Sequence, residues 1–320
     1  MKRCIVTGGA GFIGSNLVKR LQILNSDILI IDDFSTGSFA NLSSDQQDGF
    51  SFKGDIIAQP LSEVNIEKVI KEFQPDIVFH QASITDTTRT DERKMIQENL
   101  DSFKLLLEQC ERHGINLVWA SSAAVYGTYA NGSAKQKESF KVDDAGTPSN
   151  VYGFSKWLME NEHHRKLEKH PKIHSVGLRY FNVFGPCEEN KGHMASMIYK
   201  LAEQAKHYNK VSIFKDGEQS RDHIHVNDVV EANIAASRVT TKPGIYNIGS
   251  GQSITFNQIV DVIRRVKPDI ETEFIDNPYE FYQDFTCADI TNTKESIDWH
   301  PKHISFKRIE KYVSSIINNK

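Results

Sequence analysis

Thr7-Gly8-Gly9-Ala10-Gly11-Phe12-Ile13-Gly14 follows directly on a short apolar run, Cys4-Ile5-Val6, and opens a helix-like pattern at Ile13, Leu17, Leu21 and Leu24. Strand, glycine turn and helix in that order read as the start of a dinucleotide-binding βαβ unit. Glycine permits the tight turn and lets a pyrophosphate approach the helix N-terminus, where free N–H groups and the helix dipole receive it. The spacing is Gly8-x-x-Gly11-x-x-Gly14 rather than G-x-G-x-x-G. Gly8, Gly11, Phe12, Ile13 and Gly14 are therefore the expected cofactor cradle, with a tight turn lacking any ligand as the plain alternative.

Outward from this turn, strands and helices alternate. A second strand, Ile28 to Ile31, ends at Asp32-Asp33. A carboxylate there accepts hydrogen bonds from both adenosine ribose hydroxyls and repels a 2′-phosphate. No Arg or Lys falls between Asp32 and Gln47, which favours NAD and leaves NADP possible. Asp55, in Gly54-Asp55-Ile56, is placed to reach the adenine, or else is a solvated loop aspartate. Asp76 to His80 reads as a fourth strand, with His80 structural, followed by the turn Gln81-Ala82-Ser83. The polar loop from Ile84 through Thr85 to Arg89 sits where α/β sheets bind ligands, at a strand's carboxyl end. Met95 to Arg112 predicts an amphipathic helix from which Asn99 reaches the cofactor backbone.

Leu117 to Ser121 forms a fifth strand feeding Ser121-Ser122-Ala123-Ala124-Val125-Tyr126-Gly127, and Thr128 to Asn150 reads as a surface loop. Tyr152 and Lys156 stand four residues apart, on one face of a helix. A phenol with a pKa of about 10 is a poor base at neutral pH; an adjacent ammonium is expected to pull it down. In isolation the pair fits an ordinary amphipathic helix equally well. Ser122 can hydrogen-bond a substrate alcohol while Tyr152 takes its proton. A further strand, Ile173 to Tyr180, runs into Arg179-Tyr180-Phe181-Asn182-Val183. Five or six strands alternating with helices predict an α/β fold, a doubly wound parallel (Rossmann) sheet. That sheet is assigned to residues 1–182, rejoined around 223–247; residues 183–320 are irregular and read as a smaller, mainly substrate-binding lobe.

At 320 residues the chain has room for one large α/β domain or two lobes. A net charge of −4 with a pI near 6.3 leaves no basic footprint for nucleic acid or an anionic membrane. The N-terminal apolar run is too short for a signal peptide, and no run approaches the roughly 18 residues of a membrane span. Cys4, Cys110, Cys187 and Cys287 are scattered without metal-ligand spacing. Reduced thiols, no metal and a cytoplasmic location are expected.

Taken together, the glycine turn, the Ser121–Gly127 stretch, Tyr152-x-x-x-Lys156 and Arg179–Val183 resemble the extended short-chain dehydrogenase/reductases, which act on nucleotide-activated sugars. The resemblance implies that Tyr152 is the catalytic base, Ser122 its partner, and Lys156 a ligand of the nicotinamide ribose. It adds Ile56, Gln81, Ala82, Ser83 and Val183 to the expected cofactor contacts. It also implies a nucleotide-diphosphate sugar as partner and a homo-oligomer. The 4,6-dehydratases carry an acidic pair after the catalytic hydroxyl residue; here Ala123 and Ala124 stand there, and elimination lacks a proton donor.

Gly185–Ser196 and Tyr282–Asp289 look like the corresponding segments of the branch that epimerises a nucleotide-activated heptose at C6. There, a lysine in the place of Lys191 is a second acid/base. Returning hydride to the opposite face presents the carbinol oxygen in two orientations, and each needs its own proton acceptor and donor. By the same resemblance Asn182, His193 and Lys200 line the sugar pocket, Thr85 joins them, Phe214 to Gly217 and Arg221 hold the diphosphate, and Tyr282 closes the distal side. Lys191 as a solvated lysine or phosphate contact, and Arg221 as a salt-bridge partner of Asp222, remain the simpler readings. The rival functions are a UDP-hexose 4-epimerase, which needs only the tyrosine, and a non-catalytic NAD sensor.

Overall fold

Strand β1 (Arg3–Thr7) is buried on both faces: Cys4 and Val6 join one apolar cluster and Ile5 another. Strand β2 (Asp27–Ile31) repeats the split, with Ile28 and Ile30 opposed to Leu29 and Ile31. Strands apolar on both sides belong inside a parallel sheet covered by helices on each face. The computed structural model describes residues 2–43, 50–86, 91–127, 137–171, 173–239, 242–277, 283–302 and 306–318.

The remaining strands are β3 (Asp55–Ile57), β4 (Ile77–His80), β5 (Asn116–Ser122), β6 (Ser175–Tyr180), β7 (Asn182–Phe184), β8 (Lys210–Phe214), β9 (Ser220–His225), β10 (Gly244–Ile248), β11 (Ser253–Thr255) and β12 (Glu271–Ile275). The helices are α1 (Phe12–Ile23), α2 (Ile66–Phe73), α3 (Glu92–Ile96), α4 (Ser102–His113), α5 (Val151–Lys169), α6 (Met197–Tyr208), α7 (Val226–Ala236), α8 (Phe256–Val266), α9 (Thr291–Ile297) and α10 (Phe306–Asn318).

Seven strands form one parallel sheet in the order β10-β6-β5-β4-β1-β2-β3. Helices α1 and α7 cover one face, and α2, α4 and α5 the other. The return to the sheet is made by β10, which pairs with β6 from Gly244↔Val176 to Ile248↔Tyr180. Ser220–His225 instead lies between β7 and β11 in a small three-stranded sheet. Helices α6, α8 and α10 enclose a separate apolar cluster with β8. Strand order reverses between β1 and β4, so the carboxyl ends of these strands open a crevice. Among the described residues, no helix is long and apolar enough to cross a membrane.

Two local features depart from expectation. The helix anticipated from Met95 to Arg112 spans α3 and α4 but is interrupted by a π-helical turn, Gln97–Asp101. The stretch anticipated as a surface loop carries Phe140, which is only 1% exposed. Its N–H donates to the Cys287 carbonyl, and its ring packs against Tyr126, Phe181 and Phe285. A large apolar ring in a polar stretch finds its cover in distant segments, which local composition does not reveal. Residues 128–136 of that stretch lie outside the described residues.

Candidate active site

The crevice widens into a cavity of about 770 Å³, a size suited to a small-molecule ligand. Gly8, Gly11, Phe12, Ile13 and Gly14 line one end of it. Gly8 has φ of +68°, and a Cβ there would fall 2.6 Å from the Ala82 backbone nitrogen. A Cβ on Gly14 would fall 2.0 Å from the Gly8 carbonyl oxygen. The β1 and β4 ends thus approach as closely as bare backbone allows. Gly11 caps α1 without a side-chain hydrogen bond, which leaves first-turn N–H groups to an external acceptor. These residues fit the pyrophosphate of a dinucleotide.

Asp32 is buried, and its carboxylate accepts from the Ala10 and Phe34 N–H groups, both at 2.8 Å. It braces the glycine turn; burial raises its pKa against the pull of those bonds. Asp33 is exposed and accepts from the Ser35 N–H and hydroxyl at 2.9 and 2.7 Å. Both aspartates line the cavity, whereas Asp55 and Ile56 do not. They lie within β3, alongside Leu29 and Ile30. The rim falls just past that strand's carboxyl end, at Gln59, Pro60 and Leu61.

Gln81, Ala82, Ser83 and Thr85 line the cavity after β4. The Gln81 amide is engaged behind them, donating to Asn233 and accepting from the Tyr180 hydroxyl, both at 3.0 Å. His80 pairs with the Thr7 hydroxyl at 2.8 Å and is structural. Asn99 also lines the cavity, yet its amide is directed elsewhere. Its nitrogen donates to the Ile84 carbonyl and the Ser155 hydroxyl at 3.1 and 2.9 Å, and its oxygen accepts from the Ile84 N–H at 2.8 Å. Both amide hydrogens are used, so Asn99 ties the Ile84 backbone to α5 at the edge of the cavity. The π-helical turn is what presents it there.

Asn150 caps α5, its side chain accepting from the Gly153 N–H at 2.8 Å. Tyr152 and Lys156 follow in the first two turns, beside Ser122 at the end of β5. Lys156 is 1% exposed; its ammonium donates to the Ala120 carbonyl at 2.8 Å and lies 5.9 Å from the centre of the Tyr152 ring. The expected lowering of the phenol is absent here. Burial raises the Tyr152 pKa, and the Ser122 hydroxyl partly offsets it. Burial also pushes Lys156 down to about 7, with Glu160 opposing. In a low-dielectric site, desolvation dominates the shift of each group.

One turn beyond Lys156, Glu160 is fully buried. It receives Arg179 through two bonds of 2.7 Å and the Ser121 hydroxyl through a third. This fork-on-fork pair joins α5, β5 and β6 directly beneath the site.

Segments after β6 supply the other wall. Asn182, Val183, Lys191, His193, Lys200, Phe214 and Arg221 all line it; Tyr282 lies outside the described residues. Lys191 is half-buried, its ammonium 5.2 Å from the centre of the Phe12 ring beside the glycine turn. Burial lowers its pKa, Glu188 opposes, and Lys200 adds to the lowering. Lys200 donates to the His193 carbonyl at 3.1 Å, and His193 meets Asp86 at 3.2 Å. Arg221 is buried over the Phe256 ring, 5.9 Å from its centre. Its neighbour Asp222 turns to the other side of β9. There it accepts from the Ser250 hydroxyl and the N–H groups of Ser250, Gly251 and Ala288. The Asp222 carboxylate therefore serves the loop after β10.

Sequence reasoning missed Glu188, His223 and Thr286. Glu188 sits in a glycine-proline turn with no pattern to mark it as buried. His223 alternates inward with Arg221 on β9, and that period of two was the available signal.

A model of the NAD dependent epimerase/dehydratase family matches residues 4–249. ADP-L-glycero-D-manno-heptose-6-epimerase of Brachyspira hyodysenteriae is 38% identical over 296 residues, 89% of each chain. The crystal structure of ADP-L-glycero-D-manno-heptose-6-epimerase from Helicobacter pylori is 32% identical, with a TM-score of 0.86 over 99% of this chain and 97% of that one. UDP-N-acetylglucosamine 4-epimerase from Methanobrevibacter ruminantium is 29% identical, with a TM-score of 0.85 over 99% and 97%. With its glycine turn, its Tyr152–Lys156 helix and three quarters of its length matched, the chain belongs to the NAD dependent epimerase/dehydratase family.

Proposed function

We propose that the protein inverts C6 of ADP-D-glycero-D-manno-heptose through a transient 6-keto intermediate. The observation that carries this reading is that two proton-transfer groups, Tyr152 and Lys191, line one cavity from two different supports. The glycine turn and Lys156 would hold NAD, which would supply the hydride acceptor and donor for the carbinol carbon. Tyr152, with Ser122 beside it, holds the alcohol proton for one epimer, and Lys191 holds it for the other. A lysine whose pKa is lowered by burial gives up and regains a proton near neutral pH more readily than a solvated one. Arg221 on its aromatic shelf and Lys200 add positive charge suited to a diphosphate. Ala123 and Ala124 line the cavity without a titratable group, which disfavours elimination.

A UDP-hexose 4-epimerase remains the second reading, because a 4-epimerase of nearly equal structural similarity exists. The decisive experiment incubates purified protein with ADP-D-glycero-β-D-manno-heptose and follows the C6 configuration by proton NMR. Conversion toward the L-glycero epimer supports the first reading; turnover only of UDP-sugars supports the second. Exposed Leu105 on α4 and Phe154 on the adjacent α5 are compatible with a homo-oligomer, which light scattering decides.

A further inference from the structure

The turn that carries Lys191 is short, strained and tied at both ends to one carboxylate. Glu188 is 0% exposed, and four donors converge on it. The Gly185 N–H donates to Oε1 at 3.1 Å, the Ser196 hydroxyl to Oε1 at 3.0 Å, the Tyr312 hydroxyl to Oε1 at 2.9 Å, and the Ser196 N–H to Oε2 at 2.7 Å. Gly185 leaves β7 and Ser196 caps α6, so the carboxylate closes the loop between them. The Lys191 N–H donates to the Glu188 carbonyl at 3.0 Å. Within the loop Cys187 has φ of +74°, a conformation that L side chains adopt only when the surroundings impose it.

From this geometry we infer that Glu188 is the positioning residue of the second acid/base, fixing where the Lys191 ammonium stands and keeping a negative charge behind it. The inference rests on the reading of Lys191 given above. The charged and titratable groups around the carboxylate are Lys191 and Glu189 on the same turn, Lys200 and Tyr199 on α6, and Tyr312 on α10. On the same turn His193 is exposed and meets the part-buried Asp86 of the loop after β4 at 3.2 Å. Glu188 opposes the loss of the proton from both Lys191 and Lys200. Tyr312 anchors the carboxylate to the apolar cluster around β8, and its hydroxyl also lies 2.8 Å from the Gly185 carbonyl.

The test compares Glu188→Gln, Glu188→Asp and Lys191→Ala in the NAD-loaded full-length protein. Removing the charge while keeping the shape is expected to move the alkaline limb of kcat/KM down by roughly one pH unit. Glu188→Asp retains the charge and is expected to lose turnover about tenfold through misplacement, with the limb unmoved. Competitive acetylation of the Lys191 amine, followed by mass spectrometry across pH, reads the same shift without requiring turnover. If both Glu188 variants lower turnover alike and leave the limb and the acetylation profile unmoved, the inference fails while the Lys191 reading stands. If Lys191→Ala leaves epimerisation intact, the functional reading itself fails, whatever the Glu188 variants do.

Discussion

Tyr152 and Lys191 line the same cavity, yet the chain holds them in unlike ways. Tyr152 rides on a 19-residue helix packed against the sheet, with the Glu160–Arg179 pair locked beneath it. Lys191 rides on an irregular turn whose shape depends on side-chain hydrogen bonds to Glu188. On the sheet side, backbone geometry converts sequence spacing into position. On the Lys191 side, single side chains do so, and each is a separate point of failure.

The steepest test of this contrast is Tyr152→Phe, expected to cost about a thousandfold in kcat while leaving bound NAD in place. Near-normal turnover would remove the sheet side from the chemistry. Glu160→Ala leaves Arg179 without its carboxylate and is expected to destabilise the protein by about 3–5 kcal/mol in urea denaturation. A change below about 1 kcal/mol would show that the pair does not anchor the helix. Lys191→Ala should cost about a hundredfold in heptose epimerisation at unchanged stability. A silent result points to the 4-epimerase reading.

Two smaller effects sharpen the comparison. Lys156 is pushed down to about 7 in the folded protein, while an unfolded lysine titrates near 10.4. Below about pH 7 both states are protonated, and the cost of the buried charge is fully present. Between about 7 and 10.4 the unfolded chain binds more protons, so stability rises with pH. Wild type should therefore gain on Lys156→Met across that window in parallel denaturation series; a constant difference would contradict the shift. His223 is 4% exposed, and neither ring nitrogen has a hydrogen-bond partner among the described residues. His223→Phe should raise stability by about 1 kcal/mol, since unpaired buried polar atoms are costly. A fall would mean that the ring nitrogens are used.

The sheet-side site was legible because its parts obey fixed periods. Gly8, Gly11 and Gly14 sit at a strand-to-helix junction, Tyr152 and Lys156 one helical turn apart, and Ser122 at a strand end. Asp55 and Ile56 fall outside the cavity lining, whose rim lies past the carboxyl end of β3, and that end is hard to read from three residues. The π-helical turn that directs the Asn99 amide toward Ile84 and Ser155 has no sequence period to announce it. The substrate-side residues came only through resemblance to a family, and Glu188 was missed because nothing local marks it as buried.

By itself the sequence determined the alternation of strands and helices, the glycine turn, the acidic end of β2 and the Tyr152–Lys156 pair on one helix face, because those depend on interactions within about one helical turn or one strand. Tertiary structure alone decided which charges survive burial, as for Lys156 at about 7. It also decided which carboxylates act as braces, Asp32 behind the glycine turn and Glu188 behind Lys191. Desolvation and long-range hydrogen bonding depend on residues far apart in the chain, and no local pattern records them.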